Sequence, residues 1–266
     1  MESTYKVSFL VPTLGERKQE IERLLQSLMR QTYRVFEVIF VAQDNFDQMD
    51  EICASYKGRI DINLIKSSEK GLSKSRNRGI PFCTGDLIVL SDDDCWYPED
   101  AAENIVKSFT DNDIDVLLTQ IYDFDNSRQY KDYDNEQNTI NSMFKLMSKS
   151  SIEIAYKRND KTNFYFDESF GLGSHFVCGE EVDFLLNLYR SNSKILYRPI
   201  VTVYHEKKYS GSTRKQVVAK GAIYSKNFNR IIGILICVKD LVFRKENNFK
   251  AFFEGYNEYK VFKRDH

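Results

Sequence analysis

Cysteine gives this chain no scaffold. The five residues, Cys53, Cys83, Cys95, Cys178 and Cys237, are odd in number, scattered and without CxxC spacing. That excludes a disulfide framework and a cysteine zinc site, and leaves reduced thiols as in a cytosolic protein. Histidine is also scarce: of three residues in 266, His266 is terminal, so imidazole chemistry rests on His175 and His205. Long apolar runs are absent. The nearest, Ile231 to Phe243, is interrupted by Lys239 and Asp240 and falls short of a bilayer span. The opening MESTYKVSFLVP lacks the layout of a secretory signal, its apolar run being short and leading straight into a strand. Neither sign of charge dominates. Lys plus Arg total 38 and Asp plus Glu 39, a net charge of -1, so nucleic acid is not a bulk partner and any electrostatic function is local. With no internal repeat and no linker, the length points to one large domain, or one with an appended segment.

What is present is an alternation of strand and helix patterns. Apolar runs at Val7–Val11 (stopped by Pro12), Phe36–Ala42, Ile60–Ile65, Leu87–Leu90 and Val116–Thr119 read as strands. Between them lie amphipathic stretches: one bearing Ile21, Leu24, Leu25 and Leu28, then Met49–Tyr56, Leu72–Gly79 and Glu99–Phe109. This predicts an α/β fold with a mainly parallel sheet covered on both faces, whose ligands bind beyond the carboxyl ends of the strands. Tyr122 to Asn138 is polar and reads as an exposed insertion. Short strands are expected at Ile152–Tyr156, Phe164–Phe166, Ile195–Tyr197 and Val201–Tyr204, a helix from Gly179 to Ser191, and further helix from Gln216.

Three stretches carry chemistry. In VLSDDDCWYP, Asp92, Asp93 and Asp94 follow directly on an apolar strand. Acidic runs are commonly solvated loop or a helix N-cap, and Asp94 would serve the helix near Pro98; that accounts for one aspartate and not three. Mutual repulsion calls for a positive partner, and clustered oxygens suit a hard cation, Mn²⁺ or Mg²⁺. In KGLSKSRNRGI, Lys70, Lys74, Arg76 and Arg78 crowd a Gly/Ser-rich helix start that favours a phosphate group, although a basic helix face is commonly just solvated. In GEEVDFLLNLYR, a helical wheel puts Glu180, Asp183, Asn187 and Arg190 on one polar face and Glu181 beside Phe184, Leu185 and Leu188. An inward Glu181 either satisfies helix N-terminal amides or lines a cleft as a general base.

The ordered set VPT, FEVIFVAQD, KGLSKSRNRGI, GDLIVLSDDD, FDESFGLGS, GEEVDF and YRPIVTVYH resembles the family two glycosyltransferases over roughly Lys6 to Ser225. The resemblance implies a GT-A fold, a Rossmann-like mixed sheet flanked by helices, over residues 1–229. Its nucleotide-binding half would span about 1–120 and its acceptor-side half about 121–229, with a C-terminal helical extension over 230–266. It implies that Pro12, Thr13, Gln43 and Asp44 hold the nucleoside, that Arg76 meets the nucleotide or its diphosphate, and that Asp92 and Asp93 belong to the nucleotide site. Asp92 and Asp94 match the metal-binding DxD-type positions, with His205 completing the metal shell. Glu181 stands where many members carry the aspartate that acts as base in inverting transfer, a longer side chain than the family pattern, with Glu180 and Asp183 as fallbacks. His175 and Glu180 fall on the acceptor side.

The activity implied is metal-assisted, inverting transfer from a nucleotide sugar, a UDP-sugar first, to a saccharide or lipid-linked acceptor in cell-surface polysaccharide synthesis. The expected location is cytoplasmic, with peripheral contact at the inner membrane face if Ile231–Phe243 forms an interfacial helix and not a core or oligomer contact. Two other readings compete. A metal-dependent nucleotidyl or phosphoryl transferase also needs clustered aspartates but has no use for Glu181. A nucleotide-binding subunit with a degenerate site does not account for the intact aspartate cluster.

Overall fold

Three of the apolar runs of the first half become strands buried along their whole length. β1 (Val7–Thr13), β2 (Phe36–Ala42) and β4 (Leu87–Leu90) expose no residue, and β3 (Ile62–Lys66) forms the edge beside β2. A strand with both faces covered reads as a continuous apolar run, because neither set of alternate side chains meets water. In β1, Val7, Phe9 and Val11 enter one core while Leu10 enters the other; in β2, Val38 and Phe40 oppose Ile39 and Val41. The computed structural model describes residues 5–160, 162–163, 165–207, 212–229, 231–235 and 249–265.

The sheet runs β3-β2-β1-β4-β8-β5-β9-β7, with β6 (Arg128–Gln129) paired to β5 (Val116–Asp123). β3, β2, β1 and β4 are parallel neighbours, as are β5 and β9 (Ile195–Tyr204). β8 (Ile154–Lys157) lies antiparallel between β4 and β5, and β7 (Asn138–Thr139) runs antiparallel on the far edge. The parallel half is the one legible as alternating strand and helix; the second half makes the sheet mixed. Helices α1 (Lys18–Met29), α2 (Phe46–Ser55) and α4 (Ala101–Asp111) cover one face. Helices α5 (Glu180–Arg190) and α6 (Arg214–Asn227) and a C-terminal helix (Phe249–Asp265) cover the other, and α3 (Leu72–Gly79) packs against β1 and β2.

Several local expectations are corrected. Pro12 does not stop β1: it pairs with Val41, and it lies past Leu10, the last β1 residue paired with β4, so its missing N–H faces no ladder on that side. The expected strand at Ile152 is a 3-10 turn, Ser151–Glu153, followed by β8. Tyr165 and Phe166 form no strand, and Phe164 lies outside the described residues; Phe166 stacks on Phe184 at 4.4 Å. The two strands expected at Ile195 and Val201 are one, β9, whose register shift opposite Leu118–Gln120 accommodates Pro199.

The C-terminal helix shares the core of α5 and α6 through Ala251, Phe252, Tyr256 and Tyr259. It crosses α6 so closely that a Cβ on Gly221 would collide with the Phe252 carbonyl, and one on Gly255 with that of Val218. Of the expected interfacial helix Ile231–Phe243, residues 236–243 lie outside the described residues; Ile231 and Leu235 are exposed. Among the described residues no helix is long and apolar enough to cross a membrane.

At the sheet end away from the cleft, buried Glu37 accepts bonds from Lys6 Nζ (2.7 Å), Ser8 Oγ (2.6 Å) and Thr84 N (2.6 Å). Burial alone would raise its pKa; the bonds from Lys6, Ser8 and Thr84 outweigh burial and hold it down to about 2. A carboxylate depressed by folding contributes stability above its unfolded pKa and loses it as pH falls toward the folded one. Urea unfolding followed from neutral pH down to about 2 should show this loss, and Glu37→Gln should flatten it. At neutral pH the variant should cost about 1–3 kcal/mol, the range for removing an acceptor from buried donors.

Candidate active site

A cleft of about 440 Å³ opens beyond the carboxyl ends of β1, β2 and β4. Its lining includes Pro12 and Thr13 at the end of β1, Arg17 after it, Gln43 after β2, Asp92, Asp93 and Asp94 after β4, and His205 after β9. Parallel pairing of β1 with β2 and β4 brings these segments side by side. His205 arrives by a different route. An antiparallel bridge between Trp96 and Tyr204, with Tyr204 N donating to Trp96 O at 2.7 Å, lays the end of β9 against the aspartate turn. His205 Nε2 then lies 3.1 Å from Asp94 Oδ1. The helix after the aspartates begins at Ala101 with Asp100 in the N-cap position, so Asp94 is not its cap.

The charge that the three aspartates call for comes in part from the chain itself. Arg17 Nη1 lies 3.2 Å from Asp93 Oδ1 and also pairs with Asp94 Oδ2. Arg76 Nη2 is 3.0 Å from Asp92 Oδ1. Burial pushes the Asp93 carboxyl upward, opposed by the Thr13 hydroxyl, which donates at 2.6 Å, and by Arg17. Burial alone would lower the His205 pKa; the hydrogen bond and charge of Asp94 outweigh it and raise it above the usual imidazole range. Tyr130, from the polar insertion, meets the His205 ring edge-on at 5.7 Å.

Arg76 is among the largest fully buried side chains, with none of it exposed. Helix α3 has almost no apolar residues; Ser73, Ser75 and Gly79 are its buried small positions. A Cβ on Gly79 would collide with Leu10, and Ser75 Oγ donates to Val41 O, so the helix backbone lies down on the sheet and carries Arg76 inward. There Arg76 Nη1 meets Glu180 Oε1 at 3.2 Å, so one guanidinium joins the aspartate turn to the start of α5. The basic stretch is therefore not a uniform phosphate cradle. Arg78 is exposed, Lys70 pairs with Asp44 at 2.6 Å, and Arg76 is spent on two carboxylates. Gln43 is held in the cleft wall by Gly71 N, which donates to its Oε1 at 2.6 Å. Asp44 is not among the cleft-lining residues.

The apolar face of α5 is buried as the helical wheel expects, but the helix is covered on a second side as well. Two residues of the expected polar face are buried: Glu180 pairs with Arg76, and Asp183 accepts from Lys226 Nζ (2.7 Å) and Asn227 Nδ2 (3.0 Å) of α6, while Arg190 is exposed. Both carboxylates are buried, whereas Glu181 is only partly buried. Burial and the adjacent Glu180 carboxylate push the Glu181 carboxyl up to about 8. Neither Glu180 nor Glu181 lines the cleft directly; Leu172 and Gly173 do, in the loop before α5. In that loop the Leu172 carbonyl accepts from Leu72 N at 2.8 Å, and a Cβ on Gly171 would lie 3.4 Å from the Glu180 carboxyl carbon. His175 is not brought to the cleft. Its Nε2 lies 2.7 Å from Glu258, and its ring stacks on Phe262 at 5.0 Å.

Sequence reasoning missed Arg17, Tyr130 and Lys226. Arg17 alone had a usable signal, lying just past VPT in a segment already assigned to the nucleotide. Lys226 Nζ also meets Asp167 Oδ2 at 2.6 Å, tying together three segments far apart in the chain.

Residues 8–175 match the family model described as "Glycosyl transferase family 2". Curated relatives include glycosyltransferase GlyA of Streptococcus pneumoniae, 27% identical over 124 residues, covering 46% of this chain and 18% of GlyA. The glucosyl-dolichyl phosphate glucuronosyltransferase of Haloferax volcanii is 30% identical over 109 residues, covering 40% of this chain and 35% of that protein. The matched region thus spans well under half of these relatives. Among solved structures, residues 1–349 of S. aureus TarS superpose with a TM-score of 0.70 at 19% identity, covering 92% of this chain and 74% of that one, and the same protein has been crystallised with UDP-GlcNAc. At that identity the likeness establishes the GT-A architecture.

Replacing Arg76 should expose how the buried pairs hold the site. Arg76→Leu leaves Glu180 and Asp92 without their cation and should cost about 3–5 kcal/mol in urea unfolding. Glu180→Gln in the same background should recover part of that loss, and strictly additive effects would mean the two residues are not coupled.

Proposed function

The chain belongs to glycosyl transferase family 2, and on that premise we propose that it transfers a sugar from a nucleotide donor, a UDP-sugar, to a saccharide or lipid-linked saccharide acceptor in cell-surface polysaccharide synthesis, with inversion at the anomeric carbon. The observation that carries the reading is the meeting of Thr13, Gln43, the three aspartates and His205 in one cleft at the carboxyl ends of parallel strands. The UDP-GlcNAc complex of TarS, on the same architecture, supports the donor class.

Pro12, Thr13 and Gln43 would hold the nucleoside, with Asp92 and Asp93 beside the ribose and diphosphate. A hard divalent cation, Mn²⁺ or Mg²⁺, suits the donor set: an Asp94 carboxylate oxygen and the His205 imidazole nitrogen converge within 3.1 Å. Among the described residues no three His, Cys, Asp or Glu side chains are grouped to hold a metal, so further ligands would come from the donor and solvent. Such a cation would stabilise the charge that grows on the leaving diphosphate. Glu181 would take the proton of the acceptor hydroxyl as that oxygen bonds to the anomeric carbon and the bond to the diphosphate breaks. Its rivals are committed elsewhere, Glu180 to Arg76 and Asp183 to Lys226, whereas Glu181 is partly exposed and its raised pKa suits a base working near neutrality.

The proposal is tested with a panel of nucleotide sugars in Mn²⁺, Mg²⁺ or chelator, following nucleotide release. UDP should be the product; pyrophosphate would indicate nucleotidyl transfer, and no binding or turnover with any donor would indicate a non-catalytic subunit. Glu181→Gln should lower the transfer rate by on the order of a hundredfold or more while UDP still binds, and near-full activity would remove Glu181 from this role.

A base acts when deprotonated, so the wild-type rate should rise with pH through a limb near 8, well above the range of an ordinary glutamate. A pH–rate profile checks this. A limb near 4.5 would contradict the proton-taking role of Glu181.

A further inference from the structure

The two arginines that face the aspartates differ in their freedom. Arg76 has no exposed surface and is fixed at both ends by Asp92 and Glu180. Arg17 is half exposed, at 49%, and lines the cleft. It follows a loop that turns at Gly15 in the left-handed region (φ 70) and stands just before α1, outside the helix. Asp93 and Asp94, its partners, are largely buried at 12% and 16% exposure, so the guanidinium closes the outer side of the acidic corner. Asp94 is thus held from two sides, by Arg17 on Oδ2 and by His205 on Oδ1. A divalent cation and a diphosphate reaching this corner meet Arg17 first. The cation competes with it for Asp94, and the diphosphate offers it new anionic oxygens of the kind guanidinium groups bind in paired fashion.

We propose that Arg17 is an exchangeable counter-ion: it neutralises Asp93 and Asp94 in the donor-free protein and passes to the donor's diphosphate as the divalent cation takes its place on Asp94. This rests on the reading of the cleft as a nucleotide-sugar site and adds to it a residue that links donor loading to metal loading. Divalent cation alone binds weakly, because it must displace Arg17 with nothing to receive it. Donor and cation together bind cooperatively, because the displaced guanidinium gains a partner.

Two measurements of opposite sign test this, and neither depends on turnover. Binding of MnCl₂ alone, by electron paramagnetic resonance, should be roughly three- to tenfold tighter in Arg17→Gln than in wild type, because a competitor is gone. Binding of UDP at saturating Mn²⁺, by titration calorimetry, should be roughly three- to tenfold weaker in the same variant. Arg17→Lys, which keeps the charge, should fall between wild type and Arg17→Gln on both. A merely structural contact would weaken both ligands together, and that result overturns the exchange, as does Mn²⁺ affinity within twofold of wild type. If wild type binds UDP and MnCl₂ and Arg17→Gln is unchanged, only the exchange falls. If wild type binds neither, the nucleotide-sugar reading falls with it.

Discussion

Three carboxylates in sequence at the end of a buried strand repel one another, and the side chains around the cleft supply them with cationic and hydrogen-bonding partners. Each compensating group comes from a different part of the chain: Arg17 from the loop after β1, Arg76 from α3, His205 from the end of β9. A charge cluster that needs partners from several segments acts as a fastener as well as a site. The parallel half of the sheet and the later β9 are held to the same corner by it, besides their backbone pairing. The net charge of the chain is nearly zero, yet its charges are far from evenly spread.

A second layer stands behind the first. Arg76 reaches from the aspartate turn to Glu180, and Asp183, one turn further along α5, is held by Lys226 of α6, which also binds Asp167. Helix α5 is thereby positioned by ionic contacts on its inner side, with Phe184, Leu185 and Leu188 packed around them. Buried ion pairs of this kind add little net stability but penalise any arrangement that separates the partners. Their effect is to fix where Glu181 stands relative to the cleft. Glu181 remains the acidic residue of the first turn without a cation of its own in these pairings, and burial beside Glu180 raises its proton affinity.

The parallel half of the sheet was legible because both faces of each strand are covered, which turns β1, β2 and β4 into unbroken apolar runs. The aspartate turn was legible because like charges after such a run have few structural explanations. The orientation of α5 was not. A helical wheel separates polar from apolar residues, but it cannot say that the polar side will meet Arg76 and Lys226 from 104 and 43 residues away. It therefore left Glu180 and Asp183 on a solvent face, where the structure buries both. Arg76 looked like a phosphate ligand because its helix is basic, and only the close packing through Ser75 and Gly79 reveals that it lies beneath the cleft. His175 read as an acceptor-side residue from its place in a glycine-rich loop; the structure pairs it with Glu258 of the C-terminal helix, outside the lining of the cleft.

The crossing of α6 and the C-terminal helix at Gly221 and Gly255 is of another nature. There main chain approaches main chain, and the contact rests on close packing of uncharged atoms that neither acid nor salt alters directly. The acidic corner responds to both. Changes in ionic conditions should thus be felt unevenly, with the acidic corner and the Arg214–Glu254 pair loosening while the glycine crossing itself keeps its spacing.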